Sequence, residues 1–395
     1  MKLFESKHSK PMLLVFSHLR WDFVFQRPQH LMTRAAQDFE VVFIEEPIYG
    51  GCVEMWRERS PCPGVHVVQP LVPADADPQS VFRLQESLVE VIAYRAGSRP
   101  LCLWYDTPLA YDFSRWIWAD VIVFDKMDEL SAFAFAPPGL ADLESEVMQI
   151  SDLVFTGGAS LHEAAASRSP AVHCFPSSMD AAHFGAARDH SGPDPDDQAG
   201  IEGPRMGFVG VIDERIDLAL IADVAALRPD LQLIMVGPTA KIDPSSLPQA
   251  PNIHWLGPKD YAELPAYMAH WDLGWMPLAL NEATRFISPT KTPEFLAAGL
   301  PLISTAIRDV VEPYGRLGLV DIVDNAAGAV DSIDRMLTAA ADPDAVKARL
   351  ADVDRHLSAN TWDATWAAMR ALIETVAAQI PAPLRKAQSA EVQNV

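Results

Sequence analysis

Short apolar runs recur along this chain, and each is followed by a stretch of helical character. In the first half the runs fall at 12–17, 41–45, 65–69, 101–105, 121–125, 153–156 and 172–175, with helices expected at 28–38, 79–96, 139–150 and 159–167. The second half restarts the pattern at 206–211, 231–236, 253–256, 273–276 and 301–304, with helices at 217–227, 260–270, 293–298, 330–341 and 345–357. A strand that is apolar on both faces must be covered on both, as in a parallel sheet clothed by its crossover helices. The alternation therefore restricts the chain to an α/β fold, and RDHSGPDPDDQAGIEG at 188–203 divides it in two. That stretch is rich in Asp, Gly and Pro, has no apolar period and reads as an interdomain connection. The expected organisation is a first domain over 1–190, a linker over 191–203, a second domain over 204–357, a terminal helix over 358–380 and a frayed tail over 381–395. The terminal helix carries one apolar stripe, Trp362, Trp366, Met369, Leu372, Ile373 and Val376, of the kind that packs into a core.

A length of 395 residues suits two domains with ample core. The net charge of -22 opposes nonspecific binding to nucleic acid and a broad electrostatic hold on anionic lipid, leaving at most a local basic patch around Lys2, Lys7, Lys10 and Arg20. Cys52, Cys62, Cys102 and Cys174 form no CxxC pair, which suits a reduced cytoplasmic protein. No apolar run reaches the roughly 18 residues of a membrane span, and the basic start leads into a first strand rather than a secretory leader. Asp-x-Asp triplets at 75–77, 194–196 and 342–344 sit in Pro-rich acidic loops, where solvated charge explains them, and no zinc spacing, Walker A loop or GxSxG elbow is present.

Ligands of parallel sheets bind beyond the carboxyl ends of the strands, so the loops that follow strands carry the interest. The most informative is NEATRFISPTKTPEFLAAGLPLIST at 281–305. It places Lys291 three residues before Glu294 at the start of a short helix, with Pro293 at the first helical position and Gly299 past the end. A cation and the free N–H groups of a helix start suit a diphosphate, and a carboxylate can accept two ribose hydroxyls. This segment resembles the donor-site loop of GT-B glycosyltransferases of the branch related to family 4, in which a Glu-x7-Glu pattern binds the donor. Glu294 matches the second Glu of that pattern; the first falls on Phe286, with Glu282 and Arg285 close enough in sequence to replace it. The resemblance spans residues 12 to about 324. It implies a GT-B architecture, two Rossmann-like domains with parallel sheets facing an interdomain cleft, and a last helix that crosses back onto the first domain.

The same resemblance assigns further residues. Gly210 and Arg215 follow the first strand of the second domain and would face the donor pyrophosphate, although Val211 stands where an Arg is common. Gly237-Pro238 and Gly257-Pro258-Lys259 would border the nucleotide base, and Ser288 and Thr290 complete the donor set with Lys291 and Glu294. The loop SHLRWDFVFQRPQH at 17–30 resembles that of a bacterial GT-B subgroup; His18 would lie at the cleft, Arg20 and Arg27 would hold an acceptor phosphate, and Trp21, Phe23, Phe25 and Gln26 would contact the acceptor or sugar. Where retaining relatives place a cleft His, this chain has Asp125 and Asp128. Two mechanisms follow: retention, with the protein stabilising the leaving pyrophosphate, or inversion, with His18 as a base oriented by Asp125 or Asp128. Pro176 and Asp180 match the turn that ends the first domain. The implied activity is hexosyl transfer, favouring retention, from a nucleotide-diphosphate sugar to a glycan or lipid-linked acceptor in bacterial surface polysaccharide synthesis. No metal or cofactor is implied, nucleic acid is not a partner, and membrane contact is at most peripheral. A nucleotide-sugar epimerase and a non-catalytic sugar-binding subunit are the rival readings; the aromatic-basic first loop speaks against the former, while Val211 and Phe286 favour the latter.

Overall fold

Two parallel sheets form from the apolar runs. The structure, a computed structural model, describes residues 10–51, 55–133 and 136–379; Lys2, Lys7, Cys52 and the tail at 381–395 lie outside them. The first domain contains β1 (Met12–Ser17), β2 (Glu40–Glu45), β3 (Ile48–Gly51), β4 (Met55–Cys62), β5 (Val65–Pro73), β6 (Leu101–Tyr105), β7 (Val121–Lys126), β8 (Leu153–Thr156) and β9 (Val172–Cys174). Their order is β3-β5-β2-β1-β6-β7-β8-β9, all parallel, with β4 antiparallel on β5. The second contains β10 (Arg205–Val209), β11 (Gln232–Val236), β12 (Ile253–Gly257), β13 (Leu273–Met276), β14 (Leu302–Thr305) and β15 (Val320–Val323), in the order β12-β11-β10-β13-β14-β15. Both sheets reverse winding direction beside their first strand, at β1/β6 and at β10/β13, and these switch points are where loops part to leave a crevice.

β1 shows why the sheets are buried on both sides. Leu13 and Val15 enter one core while Met12, Leu14 and Phe16 enter the other. The helix Trp362–Gln379 covers the first of these faces, packing Trp362, Trp366, Met369 and Ile373 among first-domain residues. Trp366 donates from its indole nitrogen to Asp38 at 3.1 Å, and Arg370 pairs with the same carboxylate at 2.7 Å. Trp362 stacks on the His30 ring, centroids 4.7 Å apart.

The acidic segment at 191–203 lies against the second domain. Gln198 within it is fully buried, accepting from the Trp271 indole at 3.0 Å, and Asp194 pairs with Arg205 at 2.7 Å. Ahead of it, Met179, Phe184 and Ala187 already belong to the second-domain core. The domains also meet at Gly158, where a Cβ would stand 2.1 Å from Asp309 and 2.5 Å from Ser288, so hydrogen alone permits the approach. Asp309 accepts from the Ser160 backbone N–H at 3.1 Å, and Ser177 donates to the Ser288 carbonyl at 3.0 Å.

Three strands departed from the apolar-run pattern. β3 is four residues, IYGG, too short and glycine-rich to read as a run; β4 is largely exposed and polar, with Arg57, Glu58 and Arg59 in the sequence MWRERSPC; and β15 interleaves Asp321 with apolar residues. They are sheet edges, or lie next to one, and carry no continuous apolar signal. The helix expected at 293–298 starts earlier, at Lys291, which puts Pro293 third rather than first; there its missing N–H still belongs to the turn that has no intrahelical acceptor.

Truncating Trp362 to Ala removes a fully buried ring from the joint of the terminal helix and should cost about 3–5 kcal/mol, read from the shift of the urea unfolding midpoint. A loss below about 1 kcal/mol would mean that the helix does not dock.

Candidate functional site

The loops after β1, β10, β11 and β12 converge with the helix Lys291–Ala297 on an interdomain cavity of about 340 Å³. The first domain contributes the loop from Trp21 to Phe25; the second contributes Gly210, Gly237-Pro238, Pro258, Tyr261 and Lys291. Gly237 has φ of +146°, and a Cβ there would lie 1.8 Å from the Gly210 carbonyl oxygen, so the closing of β10 against β11 beneath the cavity requires glycine.

Lys291 and Glu294 share one face of their helix, and the ammonium donates to the carboxylate at 2.5 Å. Glu294 is 2% exposed; burial raises its pKa above the ordinary carboxylate range, while Lys291 opposes the rise. The remaining second-domain positions divide sharply. Arg215 is gripped by Asp213 in a bidentate pair, at 2.9 and 2.6 Å, and its guanidinium lies 5.6 Å from the Phe133 ring of the first domain. Thr290 immediately precedes the helix, and Ser288 packs against Gly158 rather than opening to the cavity. Glu282 and Arg285 are exposed and pair weakly with each other at 3.6 Å, and Arg285 lies over Phe286 at 5.1 Å. They do not fill the place of the absent first Glu: a one-turn 3-10 segment at Glu282–Thr284 turns them to solvent.

In the first domain the expected set also separates. His18 lies where Asp128 and Lys241 both act on it; burial, reinforced by Lys241 and opposed by Asp128, holds its ring below the usual imidazole pKa and therefore neutral at pH 7. Its Nδ1 is buried without a hydrogen-bond partner. Asp125 is not available to orient it. That carboxylate is fully buried in a bidentate pair with Arg27, at 2.9 and 2.7 Å, and Arg27 also donates to the Phe175 carbonyl at 2.8 Å. Neither member of the pair lines the interdomain cavity. Arg20 is likewise spent, donating to the backbone carbonyls of Glu46 and Pro47. Trp21 is 7% exposed and packs edge-on against Phe43, so most of its ring belongs to the core. Gln26 precedes the helix Arg27–Ala35, where its backbone N–H is received by the Gln29 side chain at 3.1 Å.

Three further residues, outside the expected set, stand beside these groups, and Tyr261 among them lines the cavity. Asp106, directly after β6, is 2% exposed and accepts from the Trp104 indole at 2.9 Å, while its Oδ2 is buried and unpartnered. Burial, with the neighbouring Asp125 adding to it, pushes its pKa up to about 8. An aspartate ending an apolar run is the same signal that singled out Asp125. Phe133 lies between Arg215 and Lys241, whose ammonium stands 5.3 Å from the ring. Tyr261, in the loop after β12, meets Phe25 at 4.8 Å, His30 at 5.3 Å and His183 at 4.2 Å. Burial drives the His30 pKa down to about 2, so this joint carries no imidazolium. Among the described residues, no three His, Cys, Asp or Glu side chains gather as a metal site, and no helix is long and apolar enough to cross a membrane.

Comparison with known proteins matches residues 203–339, which include β10 to β15 and the Lys291–Glu294 pair, to the family described as glycosyl transferases group 1. The match covers the second domain alone, so the likeness to group 1 glycosyltransferases is carried by that part of the chain. A putative teichuronic acid biosynthesis glycosyltransferase, TuaH, of Bacillus subtilis is 29% identical over 242 residues, covering 56% of this chain and 60% of that protein, so the match spans less than two thirds of the relative's length. Among solved structures, sucrose-phosphate synthase from Thermosynechococcus elongatus superposes with a TM-score of 0.71 at 16% identity, covering 94% of this chain and all of that one. The trehalose-6-phosphate protein from E. coli bound with UDP-2-fluoro glucose gives 0.67 at 11% identity, covering 94% and 99%. These likenesses, across both domains, show the GT-B fold.

The Asp106 proton gives a measurable signature. Its pKa is raised from 3.8 in the unfolded chain to about 8 in the fold, so the native state binds the proton more tightly and this group's contribution to stability is lost as pH rises from about 4 through about 8. Asp106→Asn, which mimics the protonated acid, should show a smaller fall in melting temperature between pH 5 and pH 8 than the wild type. Equal falls would show that Asp106 ionises normally.

Proposed function

We propose that this protein transfers a sugar from a nucleotide-diphosphate donor to a glycan or lipid-linked acceptor in the synthesis of a cell-surface polysaccharide. The observation that carries this reading is the Lys291–Glu294 pair. A half-buried ammonium and a buried carboxylate are held on one helix face, and Lys291 borders the interdomain cavity. In the empty cleft they neutralise each other. A donor would divide them, its diphosphate taking the ammonium and its ribose hydroxyls donating to the carboxylate. The group 1 domain match, the teichuronic acid relative and the UDP-sugar bound by the E. coli neighbour support the donor class and the polysaccharide setting. The proposed site of action is the cytoplasm, with at most peripheral contact at the membrane.

The reading favours retention and no metal, with positive charge from Lys291 and Gly210 at the switch point admitting the diphosphate close to the backbone. A second mechanism has a specific observation behind it. His18 is neutral, its Nδ1 has no partner and Asp128 is the carboxylate that acts on it most strongly, an arrangement suited to a general base and therefore to inversion. The anomeric configuration of the product, read by NMR, decides between them. An epimerase would instead interconvert nucleotide sugars with no acceptor present.

Lys291→Ala and Glu294→Ala should each weaken nucleoside diphosphate binding by about 10- to 100-fold, the equivalent of one charge-assisted hydrogen bond, with Glu294→Gln as the control for fold. Titration calorimetry without added metal measures it. Unchanged affinity in both Ala variants would remove the donor site from this helix.

A further inference from the structure

The aromatic loop after β1 faces the same cavity as the Lys291 ammonium. Its members are committed unequally. Trp21 packs on Phe43, and Phe25 lies against Tyr261 and His30. Phe23 remains 49% exposed while lining the cavity. Phe23 thus presents a free aromatic face to the cavity, of the kind that can stack on a flat ligand. Across the cavity the second domain contributes Gly210, Gly237, Pro238 and Pro258, with Tyr261 and Leu264 at one side and Lys291 beside them. Gly237 cannot carry a side chain, because its Cβ position is occupied by the Gly210 carbonyl.

We infer that Phe23 stacks on the nucleobase of a nucleoside diphosphate bound in this cleft, so that the first domain supplies a base-binding side chain to a pocket whose cation and carboxylate come from the second. This rests on the reading of the cleft as a nucleotide site and assigns the loop a part in donor binding rather than contact with the acceptor. Stacking is tolerant of base identity, since every base presents a π-face. It also ties nucleotide binding to closure, because the ring and the Lys291–Glu294 pair approach one ligand from opposite domains.

The test is calorimetric titration of wild type, Phe23→Ala and Phe23→Trp with UDP, ADP, GDP and inorganic pyrophosphate, with melting curves to confirm folding. Phe23→Ala should weaken the nucleoside diphosphates by about 5- to 150-fold and leave pyrophosphate within about twofold, while Phe23→Trp retains nucleotide affinity. Nucleotide affinity unaltered by Phe23→Ala, or an equal loss for pyrophosphate, overturns the stacking role while leaving the donor cleft standing. A folded wild type that binds none of the nucleotides overturns the donor reading and this inference together.

Discussion

A parallel sheet buried on both faces can present its chemistry only where its strands end. The middle of a doubly covered strand is apolar, as β1 is on both sides, and groups that meet a ligand gather at the carboxyl ends of the strands. Asp106 follows β6, Asp125 and Lys126 end β7, and Gly210 and Gly237 follow β10 and β11. Two such sheets, each with its winding reversal beside its first strand, give two sets of strand ends. The contacts at Gly158, Asp309 and Ser288 then hold those ends face to face. The cleft is the consequence of how the sheets are covered, and the particular side chains in it are a second layer of choice.

That second layer is dominated by charges that already have partners. Arg27 with Asp125, Arg215 with Asp213 and Lys291 with Glu294 are all close pairs, and the first two are bidentate. They differ in how readily a ligand could divide them. The Arg27–Asp125 pair is sealed, with side chains 5% and 1% exposed, and dividing it would leave an uncompensated buried charge. The Lys291 and Arg215 side chains are 13% and 28% exposed, and Lys291 lines the cavity. The sealed pair fixes the first helix against β7; the accessible ones are the cations that the proposed donor would draw away from their carboxylates. Asp106 shows the complementary case. One guanidinium neutralises Asp125, and the second carboxyl beside it is driven towards its neutral form.

The fold was legible because periodicity reports burial, and burial is what distinguishes a parallel sheet. Continuous apolar runs at 101–105 and 153–156 became β6 and β8 with the same bounds, whereas β3, short and glycine-rich, and β4, polar and largely exposed, left no such trace at the sheet edge. The Lys291–Glu294 pair was legible because its members are close in sequence as well as in space. What sequence spacing does not carry is pairing at a distance. Arg27 and Asp125 lie 98 residues apart, and each read alone as a group free to act. Phe133 between Arg215 and Lys241, and Tyr261 among Phe25, His30 and His183, are likewise meetings of loops from separate domains. No local pattern announces them.

The return of the terminal helix to the first domain has a consequence for how the molecule is made. The face of the first sheet that carries Leu13 and Val15 receives Trp362, Trp366, Met369 and Ile373 from the far end of the chain. During synthesis the first sheet emerges long before its cover, and at roughly 5–20 residues per second the second domain separates the two by about ten seconds or more. Through that interval an apolar surface stands open on the nascent chain. The first domain is therefore encoded in two pieces, and the second must be translated before the first can close.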